Sequence, residues 1–197
     1  MNKEHKPTII GNLDLNKYPK KLNLGCGLKA FKGFTNIDYF DNEVVDRVVD
    51  LNKHKWDFKD DEFDLLYSDN TLEHLKNDIM EIVDEMVRIT KDKGRIITIV
   101  PHYTTGGSHS EFHYKQFWYR SFEYRFGSGS FSLENQKFKP LKLIRRKLIF
   151  NKHPVLFYNY LIEPIMNFWL MPFLYENTFL QYLFPAQDIY FEFEVQK

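Results

Sequence analysis

The sequence predicts an α/β protein built on a mostly parallel, doubly wound sheet. Three observations carry this. Short apolar strands alternate with helical patterns through the first half of the chain. The first strand, Lys21-Leu22-Asn23-Leu24, runs into a glycine turn, Gly25-Cys26-Gly27. A second strand over residues 34–37 then ends in a single carboxylate, Asp38. Glycines let backbone and ligand approach closely, with no Cβ in the way. A carboxylate at the tip of the neighbouring strand can accept hydrogen bonds from both ribose hydroxyls. Together they imply a nucleoside-cofactor site on the open edge of the sheet.

The remaining elements follow in order. Residues 44–50 predict a third strand ending in Asp50, and residues 63–67 a fourth. A helix is expected from about Asp78 to Lys91, with Asn77 as N-cap and Gly94 as its stop. Ile79, Ile82, Val83, Met86 and Ile89 keep helical spacing, which leaves Glu81, Asp84, Glu85 and Arg88 on the wet side. Residues 95–100 form a fifth strand, halted by Pro101. Only Gly25 to Gly33 separate the first two strands. A full crossover with its helix needs about ten to twelve residues or more, so the first helix is expected to be reduced to a turn or stub. Residues 138–150 are strand-like, and residues 189–195 alternate like a half-exposed terminal strand, expected to be antiparallel.

Composition narrows the classes. The 197 residues suit one domain with a real core, and the formal net charge of zero gives no global case for nucleic acid. One cysteine, Cys26, permits no disulfide within the chain and fits a reducing, cytoplasmic compartment. In the turn it suits a small apolar filler better than a nucleophile. The polar first residues carry no secretory pattern.

The ordered set Asn23-Leu24-Gly25-Cys26-Gly27, Gly33-Phe34-Thr35-Asn36-Ile37-Asp38, Val49-Asp50-Leu51 and Leu72-Glu73-His74-Leu75 resembles class I S-adenosylmethionine-dependent methyltransferases. The likeness is to a short branch in which the glycine turn leads almost directly into a "GF-x-N-x-D" strand. It covers residues 20–101, and weakly the last dozen, where Phe184-Pro185-Ala186 precedes Tyr190-Phe191-Glu192-Phe193. Asn23 stands where the family usually has an acidic residue, and Leu28-Lys29 replace a third glycine. The resemblance implies a Rossmann-like methyltransferase fold with S-adenosyl-L-methionine as cofactor. Asn23 and the backbone of Gly25, Cys26 and Gly27 would face its amino-acid and ribose portion. Asp38 would hold the ribose diol, and Asp50 with the backbone of Leu51 would meet the adenine edge. Ser68, Asp69 and Asn70 would border the sulfonium and the acceptor, with His74 closing over the site. The plain alternatives are polar strand ends and helix caps for the aspartates, and packing or capping for His74.

Residues 20–101 are thus expected as the cofactor half and 102–197 as the acceptor half. His113 is the expected general base, with His109 and Tyr103 as further candidates, because this stretch leaves the fifth strand on the ligand edge. On a strand, His109, Glu111 and His113 would share a face and could bind a metal. The stretch is loop-like, so no metal is expected. Residues 137–152 are basic, and residues 154–184 are apolar and aromatic but too interrupted to span a bilayer. A core helix or acceptor lid is expected there, with a peripheral membrane segment as the alternative. The acceptor is expected to be a small molecule, a saccharide or a lipid-linked compound. A non-catalytic scaffold of the same fold is the main rival. A nicotinamide dehydrogenase fits less well, since its acidic residue should follow the turn by roughly 20 residues.

Overall fold

A computed structural model describes residues 13–122 and 141–197. Seven strands form one sheet in the order β3-β2-β1-β4-β5-β7-β6. They are β1 (Lys21–Leu24), β2 (Thr35–Asp38), β3 (Arg47–Val48), β4 (Phe63–Asp69), β5 (Thr90–Pro101), β6 (Leu141–Ile149) and β7 (Asp188–Val195). The first five pair in parallel, and β7 runs antiparallel to both β5 and β6. The chain winds outward from β1 to β3, then restarts beside β1 with β4. That switch point opens a crevice at the carboxyl end of β1 and β4, where open α/β sheets bind ligands.

No helix separates β1 from β2. A buried amide closes the link instead. Asn36 accepts from the Phe31 amide at 2.8 Å and donates to the Phe31 and Phe34 carbonyls. Asn23 donates to Asn36 at 3.0 Å and to the Lys29 carbonyl at 3.0 Å. Two buried amides, Asn23 and Asn36, therefore fix the link.

Three expectations are corrected. The third strand shrinks to two residues because Asn42 draws residues 42–45 into a turn, its side chain accepting from the Val44 amide. The helix α1 spans Ile79–Ile89 with Asp78, not Asn77, as its cap, the carboxylate accepting from the Met80 amide at 2.7 Å. Gly94 is no stop, because the chain passes from Ile89 straight into β5. Gly94 instead sits where a Cβ would approach Thr90 to 2.6 Å and the Lys91 carbonyl to 2.8 Å.

Glu85 and Arg88 are not wholly on the wet side either. Glu85 is buried, accepts from the Trp56 amide at 2.6 Å and pairs with Arg88. Arg88 also donates to the Trp56 and Phe58 carbonyls. Burial works to raise the Glu85 carboxyl, but the hydrogen bonds from Arg88 and Trp56 outweigh it and hold it low. The pair ties the 56–60 loop to α1.

One face of the sheet carries the deep core, where α1 packs Ile82, Val83 and Met86 over Leu22, Leu66 and Ile96. The other face is thinner among the described residues, with Phe31, Phe34 and Tyr67 under Leu13, Leu15 and Tyr18. The aromatic stretch does not form a core helix. It breaks into α2 (Asn159–Met166), α3 (Met171–Asn177) and α4 (Leu180–Leu183), because Pro164, Pro172 and the left-handed Trp169 interrupt it.

Candidate active site

The carboxyl edge gathers most of the residues the sequence singled out. Gly25 and Gly27 follow β1 with φ of +59° and +54°. A Cβ on Gly25 would meet Thr71 at 2.4 Å, whereas one on Gly27 would meet nothing within 4 Å. The first glycine lets Thr71 close under the turn, with its hydroxyl donating to the Leu24 carbonyl at 3.1 Å. The second leaves open space at the crevice. Asp38 lies across it and accepts from the Gly27 amide at 2.8 Å and the Phe40 amide at 3.1 Å. Asp50 lies on the same edge, since Asp38 pairs with Val48 and its carbonyl accepts from Val49 at 2.8 Å. The Asp50 carboxylate accepts from the Asn52 amide, and the Leu51 carbonyl accepts from the Trp56 indole.

Three expected residues sit back from the rim. Asn23 is buried beneath the turn and braces it. Cys26 is buried, and its thiol is pushed up to about 11 by burial and then by Asp38, which makes it a filler rather than a nucleophile. Ser68 is wholly buried, with no hydrogen-bond partner for its hydroxyl among the described residues. Asp69 and the exposed Asn70 reach the rim, and Lys29 lies 3.6 Å from Asp69.

Beside Asp69 lie two carboxyls that the sequence reading did not assign to the site. Glu73 is 0% exposed and neither of its carboxyl oxygens has a hydrogen-bond partner among the described residues. Burial first, then Asp188 and Asp69, push it up to about 7. Asp188, the first residue of β7, is likewise pushed up to about 7 by burial and by Asp69. An ionised carboxylate left unpaired in a protein interior is costly, so such groups hold their protons or meet a cation. The signal for Glu73 was present in the Leu72-Glu73-His74-Leu75 run, where an acid stands between leucines. Asp188 becomes visible only once β7 is known to run antiparallel, which brings its first residue to this edge.

His74, in the 3₁₀ turn Leu72–His74, approaches the Phe112 carbonyl through Nδ1 at 3.1 Å. A carbonyl only accepts, so that nitrogen carries the proton. His113 stacks edge-on against the His74 ring, with centroids 4.6 Å apart. Burial, followed by the nearby His74, lowers the His113 imidazole, so it is neutral at physiological pH. His109, Glu111 and His113 share no strand face. Successive turn hydrogen bonds, Ser108 to Thr105, Ser110 to Gly107 and His113 to Ser110, wind the stretch up instead. His109 and Glu111 are exposed, and His109 faces Gln116 at 3.3 Å. Tyr103 donates to Gln181 and is pushed up to about 12 by burial and by Tyr182, so it is a poor base. It lines a separate cavity of about 370 Å³ with Trp118 and Glu176.

Glu73, His74 and His113 together are the metal-competent group among the described residues, with donor atoms spread within 4.8 Å of one another. A cavity of about 860 Å³ opens beside His113, lined by Tyr114, Phe117, Trp118, Gln116, Asn77 and Asp78 among others.

Residues 22–98 match the family model described as a methyltransferase domain. No curated protein sequence matches the chain. Among solved structures, it is similar to a SAM-dependent methyltransferase from Archaeoglobus fulgidus, with TM-score 0.55 and 15% identity over 89% of this chain and 85% of that one. It is also similar to phosphoethanolamine N-methyltransferase 2 of Haemonchus contortus in complex with S-adenosyl-L-methionine, with TM-score 0.51 and 14% identity over 90% and 48%. The [4+2]-cyclase SpnF shares the fold at TM-score 0.53 and 12% identity, over 90% and 74%. At such identities the structural likeness is one of fold. Residues 22–98 are thus similar to a methyltransferase domain, and the chain shares its fold with S-adenosylmethionine-dependent methyltransferases; neither finding specifies an acceptor.

Proposed function

We propose that the protein methylates a hydroxyl on a saccharide-bearing acceptor seated in the cavity beside His113. The observation that carries this reading is the lining itself. Tyr114 and Trp118 offer aromatic faces to the C–H side of a sugar, while Asn77, Asp78 and Gln116 offer hydrogen bonds to its hydroxyls. The volume of about 860 Å³ falls in the range of small-ligand sites.

The cofactor fits the edge residues. Gly27 leaves the main chain bare where a ligand approaches, and Asp38 and Asp50 stand where a ribose and an adenine edge need acceptors. Asp69 stands at the rim, and Glu73 and Asp188 behind it are carboxyls whose ionised form a sulfonium cation would favour. When bound, S-adenosyl-L-methionine supplies an electrophilic methyl group for in-line attack. The chain's residues position and deprotonate. His113, neutral and lining the cavity, takes the acceptor hydroxyl proton. His74 anchors the 112–113 backbone through the Phe112 carbonyl and holds His113 in register. Most of the rate enhancement then comes from alignment. His109 and Tyr103 are walls of the acceptor half in this assignment.

Methyl-labelled cofactor incubated with a panel of free and lipid-linked saccharides tests the reading. Transfer to a saccharide hydroxyl, reduced about 100-fold or more by His113→Ala, supports it. Transfer that His113→Ala leaves unchanged removes His113 as base. Failure to label any saccharide while the protein binds the cofactor returns the acceptor to another small-molecule class.

A further inference from the structure

The helices α2 to α4 carry an outer face that is unusually apolar for a protein in water. Their buried residues include the polar Asn159, Glu163 and Gln181, whereas Leu161, Phe168, Trp169, Phe173, Phe179 and Tyr182 are all more than half exposed. More than half of the large exposed hydrophobic side chains of the described residues fall between Val155 and Leu183. A soluble monomer rarely shows a contiguous apolar patch of this kind. No described helix is long and apolar enough to cross a membrane.

The charge around the patch has one sign. Between residues 141 and 187 the only carboxylates are Glu163 and Glu176, and their side chains are 6% and 8% exposed. Glu163 faces inward, where it pairs with Lys147 at 2.6 Å and Lys152 at 3.0 Å. Those two lysine side chains stay more than 40% exposed, and Lys152 lies over the Tyr160 ring at 5.6 Å. The face therefore presents apolar and aromatic side chains edged by cations, with no exposed carboxylate among the described residues.

We propose that this face docks the protein on the surface of an anionic bilayer. The aromatic and aliphatic side chains enter the headgroup boundary and the lysines meet lipid phosphates. A second copy of the chain fits less well. A two-fold contact sets the patch against itself, and the patch offers no exposed carboxylate to meet its lysines. The docked face adjoins the acceptor side: Gln181 of α4 accepts from Tyr103, and Glu176 of α3 accepts from the Tyr119 amide. An acceptor with its polar head in the cavity and its tail in the bilayer follows, and that substrate class rests on the methyl-transfer reading above, whereas the docking does not.

Sedimentation of the full chain with phosphatidylcholine vesicles, and with mixed phosphatidylcholine–phosphatidylglycerol vesicles, tests the docking. The wild type is expected to pellet with the mixed vesicles at low salt and less as salt rises. The double variant Phe168→Ser, Trp169→Asn is expected to bind at least about tenfold more weakly with unchanged circular dichroism. Lys152→Gln is expected to cost about fivefold, on the mixed vesicles alone. On vesicle addition the tryptophan emission is expected to shift to the blue in the wild type, and much less without Trp169. A wild type that stays in the supernatant with both vesicle types overturns the proposal, and if it then sediments as a dimer the face is a self-interface. Vesicle binding without methyl transfer to any lipid-linked saccharide leaves the docking standing and sinks the acceptor assignment.

Discussion

The two halves of this molecule use polarity in opposite ways. In residues 20–101, apolar residues fill the sheet and polar groups stand at its carboxyl edge. In α2 to α4, Asn159, Glu163 and Gln181 are buried beside Met166 and Tyr175, while most of the large apolar side chains face outward. The first half obeys the hydrophobic pattern because water surrounds it on both sides of a closed core. The second departs from it over three consecutive helices, which is too systematic for chance exposure and points to a non-aqueous neighbour. A local rule broken repeatedly in one place tells more about function than one obeyed everywhere.

This contrast can be broken by substitution, starting with the first half. Glu85→Ala removes the partner of a largely buried Arg88 and strips the Trp56 amide of its acceptor. It is expected to cost about 3–5 kcal/mol, read as a lowered denaturant midpoint. Glu73→Gln is expected to do the reverse, but only at high pH. Its carboxyl is raised from an ordinary 4.5 to about 7, so across that window the native state holds a proton the unfolded chain has lost. Stability from this group is therefore full below pH 4.5 and falls as pH rises through 7. The glutamine variant should melt higher than wild type at pH 8, by roughly 3 kcal/mol, and match it at pH 4. Equal gains at both pH values would mean that Glu73 is not raised in the fold. At the small end, Leu161→Ser on the outward face of α2 is expected to change stability in solution by less than about 0.5 kcal/mol. A loss of several kcal/mol there would show that the face is covered in solution, and the contrast between the halves would vanish.

The strands of the first half were legible because each is a short apolar run with a turn residue behind it, as at Leu24-Gly25 and Ile37-Asp38. The edge position of Asp38, Asp50 and Asp69 followed from parallel order alone. What stayed hidden depended on partners distant in sequence. Asn36 was read as part of a motif, but its work is to hold the Phe31 and Phe34 carbonyls. Glu85 fell on the wet side of a helical wheel that knows nothing of Trp56. The stretch from His109 to His113 was read as loop-like, and its successive turn bonds agree. Glu73 and Asp188 lie 115 residues apart in sequence, and only the antiparallel return of β7 brings them to one edge.

The central claim is that the glycine turn, Asp38 and the acidic rim together hold a cationic nucleoside cofactor. Calorimetric titration with S-adenosyl-L-methionine, wild type against Asp38→Ala, tests it most directly. The expected result is saturable binding to the wild type, weakened about 10- to 100-fold by the substitution, as loss of a charged hydrogen-bond acceptor implies. Absence of binding to the wild type at millimolar ligand, or equal affinity in the variant, would contradict it.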